Sequence, residues 1–319
     1  MDVGSNHCSG EHHRSDFILC GWEAELLSLL EVKGLTKSYN GNLAVDRVSF
    51  ALEERTATAL IGPNGSGKTT TLSMIAGLLK ESEGSIQRDF KSGVGFLPQY
   101  PQFFPWLSAL EFTEMAAQIS GVDGKKVRQQ SMRTLDFVGL GSAVNKKTGT
   151  FSGGMRQRLG LAQAIVHQPK LLLLDEPVSA LDPTGRREIM DLLKSLQQDT
   201  TILYSTHILN DAEEMTDQLL FLKEGKLVEQ GSLSEVKKRY AEPRIRLRFE
   251  TEQAAIQFES RKLWPMIRER HVIALSLTDK GPTMRQVLAV LANEESGIAG
   301  IDRQSASLEE IFLKVAGKR

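Results

Sequence analysis

Gly62-Pro63-Asn64-Gly65-Ser66-Gly67-Lys68-Thr69 fits the pattern G-x-x-x-x-G-K-[ST] and stands between two segments of different period. Ahead of it, Thr58-Ala59-Leu60-Ile61 is short, apolar and β-branched, which predicts a buried strand; behind it, Thr70 to Leu79 has helical spacing. Glycines let the backbone close around phosphate groups and turn successive N–H groups toward negative charge, and the helix adds its positive N-terminal end. Lys68 has the reach for the β- and γ-phosphates, the Thr69 hydroxyl is a ligand type for Mg²⁺, and Thr70 adds a further hydroxyl. Strand, loop and helix in this order predict an α/β fold that binds a nucleoside triphosphate.

The middle of the chain supplies the remaining chemistry. Leu171-Leu172-Leu173-Leu174-Asp175-Glu176 is an apolar run ending in two carboxylates, as expected of a buried parallel strand whose C-terminal end opens on a ligand crevice. Asp175 is suited to holding Mg²⁺ through water, and Glu176 to orienting or deprotonating an attacking water. Taken alone, a core strand ending in two surface acids would read the same way. Phe151-Ser152-Gly153-Gly154-Met155-Arg156-Gln157-Arg158, however, places Ser-Gly-Gly directly before a helical pattern. That is a second helix N-terminus suited to phosphate, more than a simple NTPase needs.

With these motifs in order, the sequence resembles the ATP-binding cassette (ABC) ATPases over about residues 32–239. Phe151 to Arg158 is similar to the signature motif, departing from it in Phe151, Met155 and Arg156 but keeping Ser152, Gly153 and Gly154. Gln99 in Leu97-Pro98-Gln99 matches the Q-loop, Ser179-Ala180-Leu181-Asp182 the D-loop, His207 the switch histidine that contacts the γ-phosphate, and Tyr39 the aromatic residue that stacks on adenine. The resemblance implies a P-loop fold of ABC type: a RecA-like core, an antiparallel β subdomain and a helical subdomain. It also implies ATP and Mg²⁺ as cofactors, with Thr69, Gln99 and Asp175 around the metal. Ser152, Gly153 and Gly154 are implied to act in trans, on nucleotide held by a second protomer, either a copy of this chain or a related ATPase. The implied partner is a separate transmembrane permease, and the implied location is the cytoplasmic face of the cell membrane.

Composition agrees. Lys and Arg number 39 and Asp and Glu 40 in 319 residues, which gives no broad field for nucleic acid, and no nucleic-acid partner is expected. No stretch approaches the ~18 apolar residues of a membrane span, so a transport path must lie in another polypeptide. A soluble regulatory ABC ATPase would usually carry two cassettes, and DNA-repair relatives carry long inserts between the half-motifs; this chain has neither. An importer subunit is the nearer alternative to an exporter.

Three regions follow: an extension over residues 1–29, a cassette over 30–239 and a C-terminal α+β domain over 240–319. Cys8, Cys20, His7, His12 and His13 fall in the extension at spacings that match no tight metal motif, and the extension is expected to be dispensable or a misplaced start. A glycine-bounded hairpin is predicted at residues 221–228 and a helix over 233–240. Beyond Pro243, strands over 244–249, 272–278 and 297–303 alternate with helices over 252–260, 283–292 and 308–315, a pattern of an α+β layer. The closing Ala306-Ser307-Leu308-Glu309-Glu310-Ile311-Phe312-Leu313 resembles the C-terminal end of ATPases that serve drug, lipid and polysaccharide exporters. Tyr100, Phe103, Phe104, Trp106 and Leu107, with Pro101 and Pro105, form an aromatic stretch after Gln99 that reads either as the permease-docking surface or as packing against the helical subdomain.

Overall fold

The computed structural model of the chain describes residues 28–90, 93–179, 181–240, 244–277, 281–292, 297–304 and 307–317. The extension up to residue 27, with its cysteines and histidines, lies outside them, as do Ala180 and Pro243. The strands are β1 Ser28–Tyr39, β2 Asn42–Glu53, β3 Ala57–Ile61, β4 Glu83–Arg88, β5 Val94–Leu97, β6 Leu171–Asp175, β7 Thr201–Thr206, β8 Gln218–Lys223, β9 Lys226–Ser232, β10 Arg244–Phe249, β11 Met266–Glu269, β12 Val272–Ser276 and β13 Ile298–Gln304. The helices are α1 Lys68–Ile75, α2 Ala109–Ile119, α3 Val127–Phe137, α4 Gly153–Ile165, α5 Pro183–Leu196, α6 Leu209–Met215, α7 Leu233–Tyr240, α8 Glu252–Ser260, α9 Met284–Leu291 and α10 Leu308–Gly317.

A six-stranded sheet of order β5-β6-β7-β3-β8-β9 forms the core, parallel throughout except for the β8–β9 hairpin. Its strands are continuous apolar runs because both faces are covered. Ala57, Ala59, Leu172, Leu174, Ile202 and Tyr204 point to one side, against α4, α5 and α6. Leu60, Leu171, Leu173 and Leu203 point to the other, against α1 and the antiparallel sheet β2-β1-β4. The strands are in register at their C-terminal ends, where Asp175 pairs with Ser205 and Ile61 with Thr206. The loops after β3, β6 and β7 therefore leave the sheet at one edge, the place where open α/β sheets bind ligands.

The antiparallel β subdomain is the sheet β2-β1-β4. Leu29, assigned above to the extension, is 2% exposed within β1, so the strand starts earlier than the motif match indicates. The helical subdomain contains α2 and α3. A reciprocal Ser108–Glu111 capping box fixes the start of α2 and directs Phe112 and Leu110 into the core.

Residues 244–304 form a separate small layer with its own apolar core, Ile245, Leu247, Phe249, Phe258, Ile273, Leu275 and Val287. Its order is strand, helix, strand, strand, helix, strand, and its sheet runs β11-β12-β10-β13, all antiparallel, a split βαβ arrangement. Strand β11 was not anticipated: four residues carry too short an alternation to show a period.

Helix α10 also departs from expectation. It packs against α6 and α7 of the cassette rather than on the small layer, and Leu308, Ile311 and Val315 join the main core. Phe312 lies 6.2 Å from Phe221 between ring centroids, and Glu213 on α6 accepts the Leu308 N–H at 2.6 Å. The amphipathic pattern specified a buried face but not which surface would cover it. Ile311 is 0% exposed, so Ile311→Ala should cost about 2–5 kcal/mol, while Leu313→Ala, at 65% exposed, should stay within about 0.5 kcal/mol. Urea unfolding of the two variants checks the difference, and equal losses would remove α10 from the core.

Candidate functional site

The loop after β3 is shaped by close approaches that exclude side chains. Gly67 has φ 101° and a Cβ there would meet the Ala44 carbonyl oxygen at 2.5 Å; one on Gly62 would meet that of Leu222 at 2.4 Å. Ser66 folds the loop back on itself: its N–H donates to the Pro63 carbonyl at 3.1 Å and its carbonyl accepts the Gly225 N–H at 3.1 Å, while its hydroxyl oxygen is buried with no hydrogen-bond partner among the described residues. Asn64, Gly65, Gly67, Lys68, Thr69 and Thr70 line a cavity of about 330 Å³ together with Gln99, Glu176 and Ala44. Ala44 carries no motif and was not foreseen.

Lys68 is the charge of this cavity. Its side chain is 6% exposed, and Nζ donates to the carbonyls of Gly62 at 2.8 Å and Pro63 at 3.2 Å, 3.9 Å from Glu176 Oε1. Burial pushes its amine below the usual lysine range, against the opposing pull of Glu176 and then Asp175. A base whose folded value lies below its unfolded value of about 10.4 leaves the unfolded chain holding more protons between the two. Wild-type stability relative to Lys68→Met should therefore rise with pH across that interval. Urea unfolding of both proteins from about pH 7 to about pH 10 tests this, and a flat difference contradicts it.

Asp175 and Glu176 stand at the crevice as expected, buried rather than surface-exposed, at 2% and 6%. Asp175 Oδ2 accepts the Thr69 hydroxyl at 2.8 Å, and Oδ1 accepts that of Ser205 at 2.6 Å. Glu176 has a left-handed backbone, φ 50°, and its Oε2 lies 2.8 Å from His207 Nδ1. The structure thus brings Lys68, Thr69, Gln99, Asp175, Glu176 and His207 together. Thr69, Asp175 and Gln99 offer hard oxygen donors beside the phosphate cradle, a set that fits Mg²⁺. Tyr39 stands apart from the cavity lining: it is 47% exposed, with Lys37 Nζ 5.2 Å from its ring centroid.

Ser152, Gly153 and Gly154 lie elsewhere. Ser152 caps α4, accepting the Met155 N–H at 3.3 Å, and a Cβ on Gly153 would meet nothing within 4 Å. With Leu181, Asp182, Thr184 and Arg158 they line a second cavity of about 410 Å³. Asp182 caps α5 by accepting the Gly185 N–H at 3.2 Å. Among the described residues, none lines both cavities. Gln157, on the helix that Ser152 caps, donates to the Pro177 carbonyl at 2.8 Å, next to Glu176. A larger cleft of about 880 Å³ between α3 and the start of β6 holds none of these residues.

The family profile of the ABC transporter matches residues 45–179, and that of the DrrA1-3-like ATP-binding protein C-terminal domain matches residues 231–316. The chain is 38% identical over 303 residues to YxlF of Bacillus subtilis, an uncharacterised ABC transporter ATP-binding protein, covering 90% of this chain and 99% of that one. The chain belongs to the ABC transporter ATP-binding proteins. It is also 32% identical over 305 residues to the daunorubicin/doxorubicin resistance ATP-binding protein DrrA of Streptomyces peucetius, covering 90% of this chain and 92% of that one. Among solved structures it is similar to the dimeric ATP-binding cassette MJ0796 in a post-hydrolysis state with ADP and Pi, at 28% identity and a TM-score of 0.59, over 64% of this chain and 98% of that chain. As an ABC ATPase the chain binds and hydrolyses ATP. Among the described residues, no helix is long and apolar enough to cross a membrane.

Proposed function

We propose that the chain is the motor subunit of an exporter, driving a separate permease at the cytoplasmic face of the membrane by ATP-dependent closure of a dimer. The observation that carries this reading is the division of the loop and signature residues between two cavities that, among the described residues, share no lining residue. Within one chain the signature serine and glycines have no phosphate to hold, whereas a two-fold pair places each signature against the other protomer's loop. Export rather than import is favoured by relatives named for daunorubicin/doxorubicin resistance, bacitracin transport and linearmycin resistance, at 32%, 35% and 27% identity.

Each residue then has a defined task. Gly62 to Gly67 wrap the β-phosphate with backbone N–H groups, and Lys68 exchanges its carbonyl partners for phosphate oxygens. Thr69, Asp175 and Gln99 would hold Mg²⁺, which would supply positive charge against the phosphates. Glu176 accepts the proton of a water that attacks the γ-phosphorus as the bond to the β–γ bridging oxygen breaks. His207 orients the Glu176 carboxylate and reaches the γ-phosphate, and Tyr39 stacks on adenine. Ser152, Gly153 and Gly154 cover the γ-phosphate of the partner subunit, and Asp182 sits at the seam.

The aromatic stretch serves two purposes. Phe103 and Leu107 pack on the core, Phe103 edge-on to Phe112 at 5.0 Å. Tyr100, Phe104 and Trp106 remain 68%, 45% and 65% exposed and supply the docking surface for the permease. Because Trp106 touches little of the fold, Trp106→Asp should melt as wild type and bind ATP, yet lose recovery with membranes containing the cognate permease. Co-purification from detergent reads this out; a folded variant that still binds the permease normally places the contact elsewhere. Accumulation of daunorubicin-like drugs, peptide antibiotics, lipids or polysaccharides in inverted vesicles carrying both subunits tests the exporter assignment, and ATP-dependent transport that runs only in the opposite direction would reject it.

A further inference from the structure

The central sheet carries a buried hydroxyl for which the proposed function names no task. Ser205 is on β7, two residues before His207 and level with Asp175 on the neighbouring strand. It is 0% exposed. Its hydroxyl donates its single proton to Asp175 Oδ1 at 2.6 Å and accepts the Glu176 N–H at 2.9 Å. One side chain therefore touches both of the acidic residues that end β6.

Both contacts constrain something that the chemistry uses. Glu176 holds φ 50°, a region that residues with a Cβ adopt only where their surroundings over-determine it. On its C-terminal side the Glu176 carbonyl accepts the Ser179 N–H and hydroxyl, at 3.3 and 3.1 Å. On its N-terminal side the constraint is the bond to Ser205. At Asp175, occupation of Oδ1 leaves Oδ2 turned to Thr69 and the phosphate loop. A parallel neighbour at this register is what lets one hydroxyl reach both groups.

We propose that Ser205 is a positioning residue for hydrolysis, acting through Glu176 by pinning the backbone turn that aims its carboxylate, and through Asp175 by fixing which oxygen faces the phosphate loop. The inference rests on the role assigned to Glu176 above. In Ser205→Ala both bonds are lost for the smallest change in volume. The expected result is a fall in kcat of about 10- to 100-fold with the KM for ATP and the calorimetric affinity for ATP changed by less than about threefold, since the loop backbone and Lys68, assigned the phosphates in the ground state, make no hydrogen bond with Ser205. Ser205→Thr, which restores the hydroxyl, should return kcat to within about threefold of wild type. Amide exchange at the Glu176 N–H should speed up in the alanine variant while the rest of β7 stays protected.

A double-mutant cycle decides the matter even if threonine does not fit the site. In a Glu176→Gln background the carboxylate positioned through the backbone turn is already disabled, so adding Ser205→Ala should lower the residual single-turnover rate by clearly less than it lowers that of wild type, the remainder passing through Asp175. An equal loss in that background, a kcat for Ser205→Ala within about twofold of wild type, or a global loss of folding in Ser205→Ala overturns the proposal. The roles are separable: if Glu176→Gln alone retains hydrolysis, the assignment of Glu176 fails. If it is inactive while Ser205→Ala matches wild type, only the role of Ser205 fails.

Discussion

Glu176→Gln is expected to lower steady-state ATP hydrolysis by about 10²–10⁴-fold while leaving ATP binding intact. The amide keeps the shape and the contact with His207 but cannot take the proton of the attacking water. The change is made at a residue 6% exposed whose neighbours are polar, so the fold should tolerate it. ATP then has no way forward, and the closed pair it stabilises should accumulate. Size-exclusion chromatography of the variant with ATP should show a dimer that wild type shows only transiently, and a thermal melt should rise with ATP in both proteins. Hydrolysis at the wild-type rate in Glu176→Gln would assign the proton transfer to another group.

Lys68→Ala should act on the other side of the same reaction, at binding. Lys68 Nζ rests on two carbonyl oxygens inside the cavity proposed to hold the phosphates, and removing it deletes a charge-assisted contact and a positive charge from that cavity. A loss of about 10- to 100-fold in ATP affinity follows from the value of such a hydrogen bond. Titration calorimetry reads it directly, and an unchanged affinity would show that the loop backbone alone carries the phosphates. The contrast between the variants separates the two tasks: Glu176→Gln binds ATP without turning it over, and Lys68→Ala binds it about 10- to 100-fold more weakly.

Much of the core and the site was legible because each depends on local sequence. The four leucines before Asp175 require burial on both faces, and such a strand is parallel and central, as β6 is. The loop glycines announce themselves by a conformation few other residues accept. The segments over 233–240, 244–249 and 252–260 form the elements expected of them, because capping residues and period agree there. What stayed hidden depends on pairing between distant segments. Ser205 reads as one more residue of an apolar strand until register sets it beside Asp175. Ala44 lines the cavity at Lys68 only because the antiparallel sheet brings it to Gly67. The destination of α10 is likewise a tertiary fact, since the surface that receives it is built by α6, α7 and β8. The aromatic run after Gln99 mixes core and exposed side chains, and no one-dimensional pattern separates Phe103 from Trp106.

If a complete ATP site takes its loop from one chain and its signature from another, mixing two inactive variants should restore activity. Lys68→Ala disables the loop and leaves Ser152, Gly153 and Gly154 whole; Ser152→Arg blocks the signature and leaves the loop whole. Each alone should be inactive. Mixed in equal amounts and allowed to exchange, half of the pairs hold one chain of each kind, and each such pair has one intact site, so about a quarter of wild-type ATPase activity should return. Ser152→Arg retaining normal activity on its own would contradict the account, because the phosphate loop would then be complete within a single chain.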